Sequence, residues 1–206
     1  MSKLVNDLMQ NGYLKSDAII EAFERVNRIE FVPEELELQA NADVALPIGY
    51  GQTISQPLVV AFMLELLEPK KGQKIMDVGS GSGWTTALLS DIVKPDGKVI
   101  AVELVSELCE FGKNNVDKFG FVKQGIAQFH NVDGSQGFPE QAPYDRIMVS
   151  AAAMDEIPQA LKDQLKIGGK MVIPVGSSII YIEKEGEDKF FKEEFPGFTF
   201  VPLILC

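Results

Sequence analysis

The chain has 206 residues, 46% hydrophobic and 24% charged, which suits one soluble globular domain with a core large enough to need no staples. A net charge of −11 disfavours nucleic acid as a partner, because an acidic surface repels a phosphate backbone and only Lys70 and Lys71 approach a basic patch. Two cysteines, Cys109 and Cys206, form neither a disulfide framework nor a metal site and suit a reducing cytoplasm; no signal-peptide core opens the chain, and no apolar run approaches the roughly 20 residues that span a bilayer.

The segment up to Leu38 reads as helical. Ser16 or Asp17 can cap a helix whose apolar face holds Ile19, Ile20, Phe23 and Val26. Pro33 suits the first turn of a short helix over 33–38. The stretch LPIGYGQTISQP (46–57) carries Pro47, Gly49, Gly51 and Pro57 and is too rich in turn residues to predict a regular element. A helix follows Pro57, with Val60, Met63, Leu64 and Leu67, and ends before Pro69. From Lys74 the pattern alternates: strand 74–78, a glycine run, helix 84–92, strand 98–103 and helix 106–119. Strand 144–150, helix 157–165 ending at Gly168 and Gly169, and strand 170–175 come next. Segments 179–184 and 189–195 predict a hairpin around EGED, and a final strand is expected over 198–205. Strands alternating with helices imply an α/β fold: a mostly parallel central sheet with helices on both faces, here with an antiparallel C-terminal edge.

The run Asp77-Val78-Gly79-Ser80-Gly81-Ser82-Gly83 follows a predicted strand and opens a predicted helix. Glycines there allow a sharp turn and close approach of a ligand, at the strand ends where open parallel sheets bind their ligands. A dinucleotide loop, G-x-G-x-x-G, would need glycine at Trp84 or at Thr86, and no Gly-Lys-Ser/Thr follows for a phosphate loop. An acid at the strand end followed by alternating glycines resembles motif I of the Rossmann-like class I methyltransferases, which implies S-adenosyl-L-methionine as cofactor and S-adenosyl-L-homocysteine as product. That cofactor carries a sulfonium, an ammonium and a ribose rather than a phosphate, so acceptors suit it. Glu103 ends the next strand, where a carboxylate can accept from both ribose hydroxyls. Asp133, in VDG, is a third candidate acceptor, near the adenine; its plain alternative is an Asp-Gly turn.

The segment Gly51-Gln52-Thr53-Ile54-Ser55-Gln56-Pro57 resembles the substrate loop of the protein-L-isoaspartate O-methyltransferases. FVPEEL (31–36), LPIGYGQTISQP (46–57), DVGSGSG (77–83), APYDRI (142–147), Ala151-Ala152, IPQAL (157–161), QLKIGGKMVIPVG (164–176) and FVPL (200–203) resemble that family in order, over nearly the whole chain. The resemblance implies one methyltransferase domain over 1–206, with 1–57 supplying a helical segment and the substrate loop. It implies methyl transfer to the α-carboxylate of L-isoaspartyl residues in damaged proteins and peptides, whose ester re-forms a succinimide that can open to aspartate. A carboxylate is already ionised near neutral pH (reference pKa about 4), so no strong base is called for, and alignment of the reacting atoms can supply the catalysis. By resemblance Ser55 is the catalytic and substrate-binding residue, donating to the substrate carboxylate, with Thr53 beside it; a plainer role for both is capping the helix after Pro57. The cofactor contacts implied are Gln52, Ile54, Asp77, Gly79, Gly81, Gly83, Glu103, Leu104, Asp133 and Gly134, with no metal. The chain departs from the family at Asn41, where an aromatic is frequent, and at Val132, where glycine is usual. His130, the single histidine, is expected to be an ordinary loop or strand-edge residue.

The alternatives are a methyltransferase of the same fold acting on a small molecule or another acceptor, and a cofactor-binding module without catalysis. The acidic charge and the lack of an N/D-P-P-Y/F motif or a Pro-Cys nucleophile speak against nucleic acid, and intact Asp77, Glu103 and Ser55 against a silent module. A monomer is expected, since no exposed apolar stripe is evident.

Overall fold

The computed structural model describes residues 1–204. Two helices open the chain, α1 (Lys3–Gln10) and α2 (Asp17–Arg25). Leu4, Val5 and Leu8 of the first and Ile19, Ala22 and Phe23 of the second are buried at helical spacing. Ser16 precedes α2 as expected, but its hydroxyl makes no capping bond to the helix. It donates instead to Glu65 on α3 (Pro57–Leu67), whose carboxylate also accepts from the Lys15 and Ser16 backbone N–H groups. The short helix expected over 33–38 is a 3₁₀ turn, Glu34–Gln39, with no buried residue.

The stretch read as irregular is a hairpin. Strand β1 (Leu46–Gly49) pairs antiparallel with β2 (Gln52–Ile54). Gly49, Tyr50 and Gly51 turn the chain at φ of 89°, 54° and 72°. The same glycines that argue against a strand build the turn of a hairpin, and in a two-stranded sheet Pro47 occupies an edge that tolerates a missing donor.

The main sheet is built from β3 (Lys74–Val78), β4 (Lys98–Glu103), β5 (Ala127–Asn131), β6 (Tyr144–Val149), β7 (Leu165–Val175), β8 (Ser178–Lys184) and β9 (Phe190–Pro196), in the order β5-β4-β3-β6-β7-β8-β9. Pairs from β5 to β7 are parallel, and β8 and β9 add antiparallel at one edge. Helices α4 (Trp84–Val93), α5 (Ser106–Asp117) and the short α6 (Gln159–Asp163) complete the layers. Alternate strand residues enter two separate apolar clusters: Ile75, Val99, Met148 and Val172 join the one that also holds α1 to α4, while Met76, Ile100, Ile147 and Met171 join the other. Among the described residues no helix is long and apolar enough to cross a membrane.

Three further expectations need correction. Strand β5 was not foreseen, because AQFHN at a sheet edge is only half-buried and lacks an apolar run. The helix over 157–165 shrinks to α6, and β7 begins at Leu165 and runs through Gly168 and Gly169; the register with β6 shifts between Tyr144 and Arg146, so these glycines sit in a strand irregularity rather than a helix stop. The final strand over 198–205 is absent among the described residues. Pro202 makes a single parallel bridge with Ala152, held by Ala152 N–H to the Val201 carbonyl and Leu203 N–H to the Ala152 carbonyl, each 2.8 Å. Leu205, at the end of that expected strand, and Cys206 lie outside the described residues.

Candidate active site

The parallel strands bring the loops after β3, β4 and β6 to one end of the sheet, where a ligand cleft is expected. The glycine loop runs there with Gly79, Gly81 and Gly83 at φ of 76°, 50° and 86°, a conformation that L side chains resist. Gly83 is also sterically required: a Cβ on it would lie 2.6 Å from the Gly112 carbonyl oxygen of α5. The Gly79 N–H donates to the Val102 carbonyl of β4 at 2.9 Å, which pins the loop to the neighbouring strand.

Glu103 faces this loop. One carboxylate oxygen accepts from the Gly81 N–H at 2.9 Å and the other from the Val105 N–H at 3.0 Å. A carboxylate offers about four acceptor positions, so each oxygen keeps capacity for a ligand hydroxyl. Asn131 steadies the strand end from β5, its amide donating to the Glu103 and Leu104 carbonyls at 2.8 Å.

Asp77 lies elsewhere than the sequence reading puts it. It has no solvent exposure, and one oxygen accepts from the Thr85 and Thr86 hydroxyls at 2.8 and 2.6 Å. Burial pushes its carboxyl up to about 6, against the opposing pull of the threonine bonds. The carboxylate therefore ties β3 to the first turn of α4 behind the loop, and is not part of the cleft wall. Gly83 packs against α5 and is not a wall residue either. Asp133 is likewise absent from the wall; its carboxylate accepts from the Ser135 N–H at 2.8 Å, as in an Asp-Gly turn.

The wall does gather Gln52, Thr53, Ile54, Ser55, Gly79, Gly81, Glu103, Leu104 and Gly134 around one cavity, at the strand ends where an open parallel sheet binds its ligands. Sequence reasoning missed Ser80, Trp84, Thr85, Ser150, Ala151 and the segment 201–204. Trp84 and Thr85 directly follow the glycine loop, and Ser150 ends a strand next to β3, so position alone could have found them; nothing local to 201–204 signals a cleft. Among the described residues the Ser80 hydroxyl and the Trp84 indole N–H are buried without a partner, and both belong to this wall. Orphaned polar groups beside a carboxylate fit a polar ligand with hydroxyl groups. Among the described residues Glu103 is the one ionisable side chain on the wall, and no group of three or more metal-ligating side chains occurs.

A second cavity adjoins the first. Ala45, Gln56, Val59, Thr199 and Phe200 line it, and it shares Thr53, Ser55, Ser150 and Val201 with the first. Ser55 thus stands at the junction of the two. The helix-capping role falls to another residue: α3 has Gln56 at its N-cap without a side-chain bond, and Asp43 accepts from the Leu58 N–H at 2.8 Å and from the Gln56 amide at 3.2 Å. His130 stacks on Phe138, ring centroids 4.0 Å apart, outside both cavities, and burial lowers its pKa.

A family model described as protein-L-isoaspartate(D-aspartate) O-methyltransferase matches residues 1–205. The protein-L-isoaspartate O-methyltransferase of Methanopyrus kandleri is 47% identical over 209 residues, covering 98% of this chain and 90% of that protein. Its counterpart in Methanothermobacter thermautotrophicus is 44% identical, covering 98% and 94%. A Plasmodium falciparum structure described as a protein-L-isoaspartate O-methyltransferase, in complex with S-adenosyl-L-homocysteine, superposes with a TM-score of 0.85 at 26% identity, over 98% of this chain and 96% of that one. A second structure of that description gives a TM-score of 0.86 at 29% identity, over 97% of this chain and 64% of the other.

Proposed function

The chain belongs to the protein-L-isoaspartate(D-aspartate) O-methyltransferase family, and we propose from that premise how its residues divide the work of repairing isoaspartyl proteins. The enzyme is an S-adenosyl-L-methionine-dependent methyltransferase that esterifies the α-carboxylate of L-isoaspartyl residues. When bound, the cofactor supplies an electrophilic methyl group on a sulfonium. Glu103 accepts from the ribose hydroxyls with the capacity its backbone bonds leave free, and Gly79, Gly81 and Gly134 let the backbone approach. Gln52, Ile54 and Leu104 complete the cofactor contacts. Ser55 donates its hydroxyl to the substrate carboxylate and turns one oxygen toward the first cavity, with Thr53 on the same side. The substrate oxygen needs no deprotonation, being ionised well below neutral pH (about 4).

The observation that carries this reading is the position of Ser55 on both cavities: a group that serves methyl transfer must touch the donor side and the acceptor side together. We read the whole chain as one domain, with 1–57 supplying the substrate loop; the merger of α1 and α2 residues with Ile75 and Leu89 in one apolar cluster supports it. A monomer acting in the cytoplasm fits the two-cysteine, acidic composition.

The test is transfer of a labelled methyl group to an isoaspartyl peptide with the matching aspartyl peptide as control. Equal labelling of both, or of neither, sinks the substrate assignment. Ser55→Ala is expected to lower turnover at least about tenfold, the scale on which one aligned donor acts, while S-adenosyl-L-homocysteine affinity changes little. Wild-type turnover would remove Ser55 from its role.

A further inference from the structure

We propose that Arg28 is a positioning residue for methyl transfer, fixing Ser55 through its main chain and joining the substrate loop to the cofactor wall. The inference rests on the role given to Ser55 above. Arg28 lies in the turn after α2 and is 2% exposed. Its guanidinium meets no carboxylate within ion-pair distance among the described residues. It donates instead to four main-chain carbonyls. One terminal nitrogen reaches Ala40 at 2.8 Å and Ala42 at 3.3 Å; the other reaches Val44 at 2.9 Å and Ser55 at 3.0 Å. Three of these acceptors belong to the loop before β1 and the fourth is the carbonyl of the residue at the cavity junction. On the other side the guanidinium carbon lies 5.2 Å from the centre of the Trp84 ring, which lines the cofactor cavity.

A buried cation is costly unless its donors are met; here both terminal nitrogens are met by loop backbone, while Nε is buried without a partner among the described residues. The loop so held carries Asp43, which caps α3 and holds the Gln56 side chain. Ser55 is therefore gripped at its own carbonyl by Arg28 and through the next residue by Asp43. Burial draws the Arg28 pKa down to about 10, so the group stays charged at neutral pH. The planar fork is what the site uses: it sends two nitrogens toward two pairs of carbonyls. A lysine ammonium offers donors from one point and cannot span both pairs.

The test is a double-mutant cycle on the full-length enzyme. Arg28→Lys and Ser55→Ala are made singly and together, and kcat and KM for an isoaspartyl peptide, calorimetric affinity for S-adenosyl-L-homocysteine and thermal unfolding are measured. Because small misplacements of aligned groups are expensive, Arg28→Lys is expected to lower kcat about tenfold or more while cofactor-product affinity stays within about threefold. In the Ser55→Ala background the same change is expected to cost less than about twofold in kcat, since residues acting through one another are not additive. Equal losses in both backgrounds, a loss of S-adenosyl-L-homocysteine affinity matching the loss of kcat, or unchanged kcat in Arg28→Lys each overturn the inference. So does failure of both Arg28→Lys and Arg28→Gln to fold, which would make Arg28 a residue of folding alone. Wild-type turnover in Ser55→Ala alone refutes the reading of the site instead, and is distinguishable from all of these.

Discussion

Replacing Asp77 by asparagine should change how stability depends on pH more than it changes stability itself. The carboxyl rises from 3.8 to about 6 because burial disfavours its charged form. At 1.36 kcal/mol per pH unit that rise amounts to about 3 kcal/mol. The native state binds the Asp77 proton more tightly than the unfolded state does, so between about pH 4 and pH 6 it holds more protons and stability falls as pH increases. The stabilisation is full below about pH 4 and gone above about pH 6. Asparagine has nothing to titrate, and its amide oxygen can still accept from the Thr85 and Thr86 hydroxyls that Asp77 engages. Its amide nitrogen would replace the Asp77 oxygen that has no partner among the described residues, at a cost of about 1–3 kcal/mol. That cost applies at every pH and cancels between two pH values. Urea unfolding of both proteins at pH 3 and pH 8 should show the variant gaining about 3 kcal/mol relative to wild type between them. Parallel stability curves would mean that Asp77 titrates as an ordinary carboxyl, and the account of its burial would be wrong.

Two further substitutions probe the loop and its acid. Gly83→Ala places a side chain at φ +86°, 2.6 Å from the Gly112 carbonyl oxygen and 2.8 Å from a Val116 methyl carbon. The left-handed conformation alone costs about 1–2 kcal/mol, so thermal unfolding should show a larger loss than that, and a wild-type melting temperature would show that α4 and α5 can part at no cost. Glu103→Gln turns one acceptor into a donor facing a backbone N–H of Gly81 or Val105. Calorimetry should find S-adenosyl-L-homocysteine binding weakened by about 1–3 kcal/mol, the usual cost of a buried hydrogen-bonding group left unmatched. Unchanged affinity would place the ribose elsewhere.

Elements with strong local signals were legible in the chain. The strands at 74–78 and 98–103 are apolar runs bounded by turn residues, and both are observed over those residues. Boundaries failed where a long-range pairing overrides a local signal. Gly168 and Gly169 look like a helix stop because nothing nearby reveals that β6 pairs with this segment. The residues of β5 look like loop because their strand character comes from pairing with β4, Val99 opposite Ala127 through Glu103 opposite Asn131. The hairpin at 46–54 was hidden by the glycines that make its turn possible.

At the site the division follows the same physics. Residues at the ends of strands or in the loops that follow them, such as Gly79, Gly81 and Glu103, could be read directly, since a parallel sheet dictates where those ends go. The long-range contacts that brace the segments around the site could not. Glu65 accepts from Lys15 and Ser16, about fifty positions earlier, and Arg28 reaches Ser55 across 27 positions; no window of sequence contains either pair. Asp77 shows the limit most clearly. Its place at the strand end pointed to the loop that lines the first cavity, yet its side chain alternates to the face shared with α4 rather than toward that cavity, as the burial of neighbouring Ile75 in the same cluster as Leu88 and Leu89 requires. An acid in that position stabilises the first turn of α4 by accepting from Thr85 and Thr86, and Thr85 is itself a wall residue. The motif therefore marks the cavity through a residue one step removed from its wall, and the carboxylate that does line the wall is Glu103, which approaches the loop from the other strand.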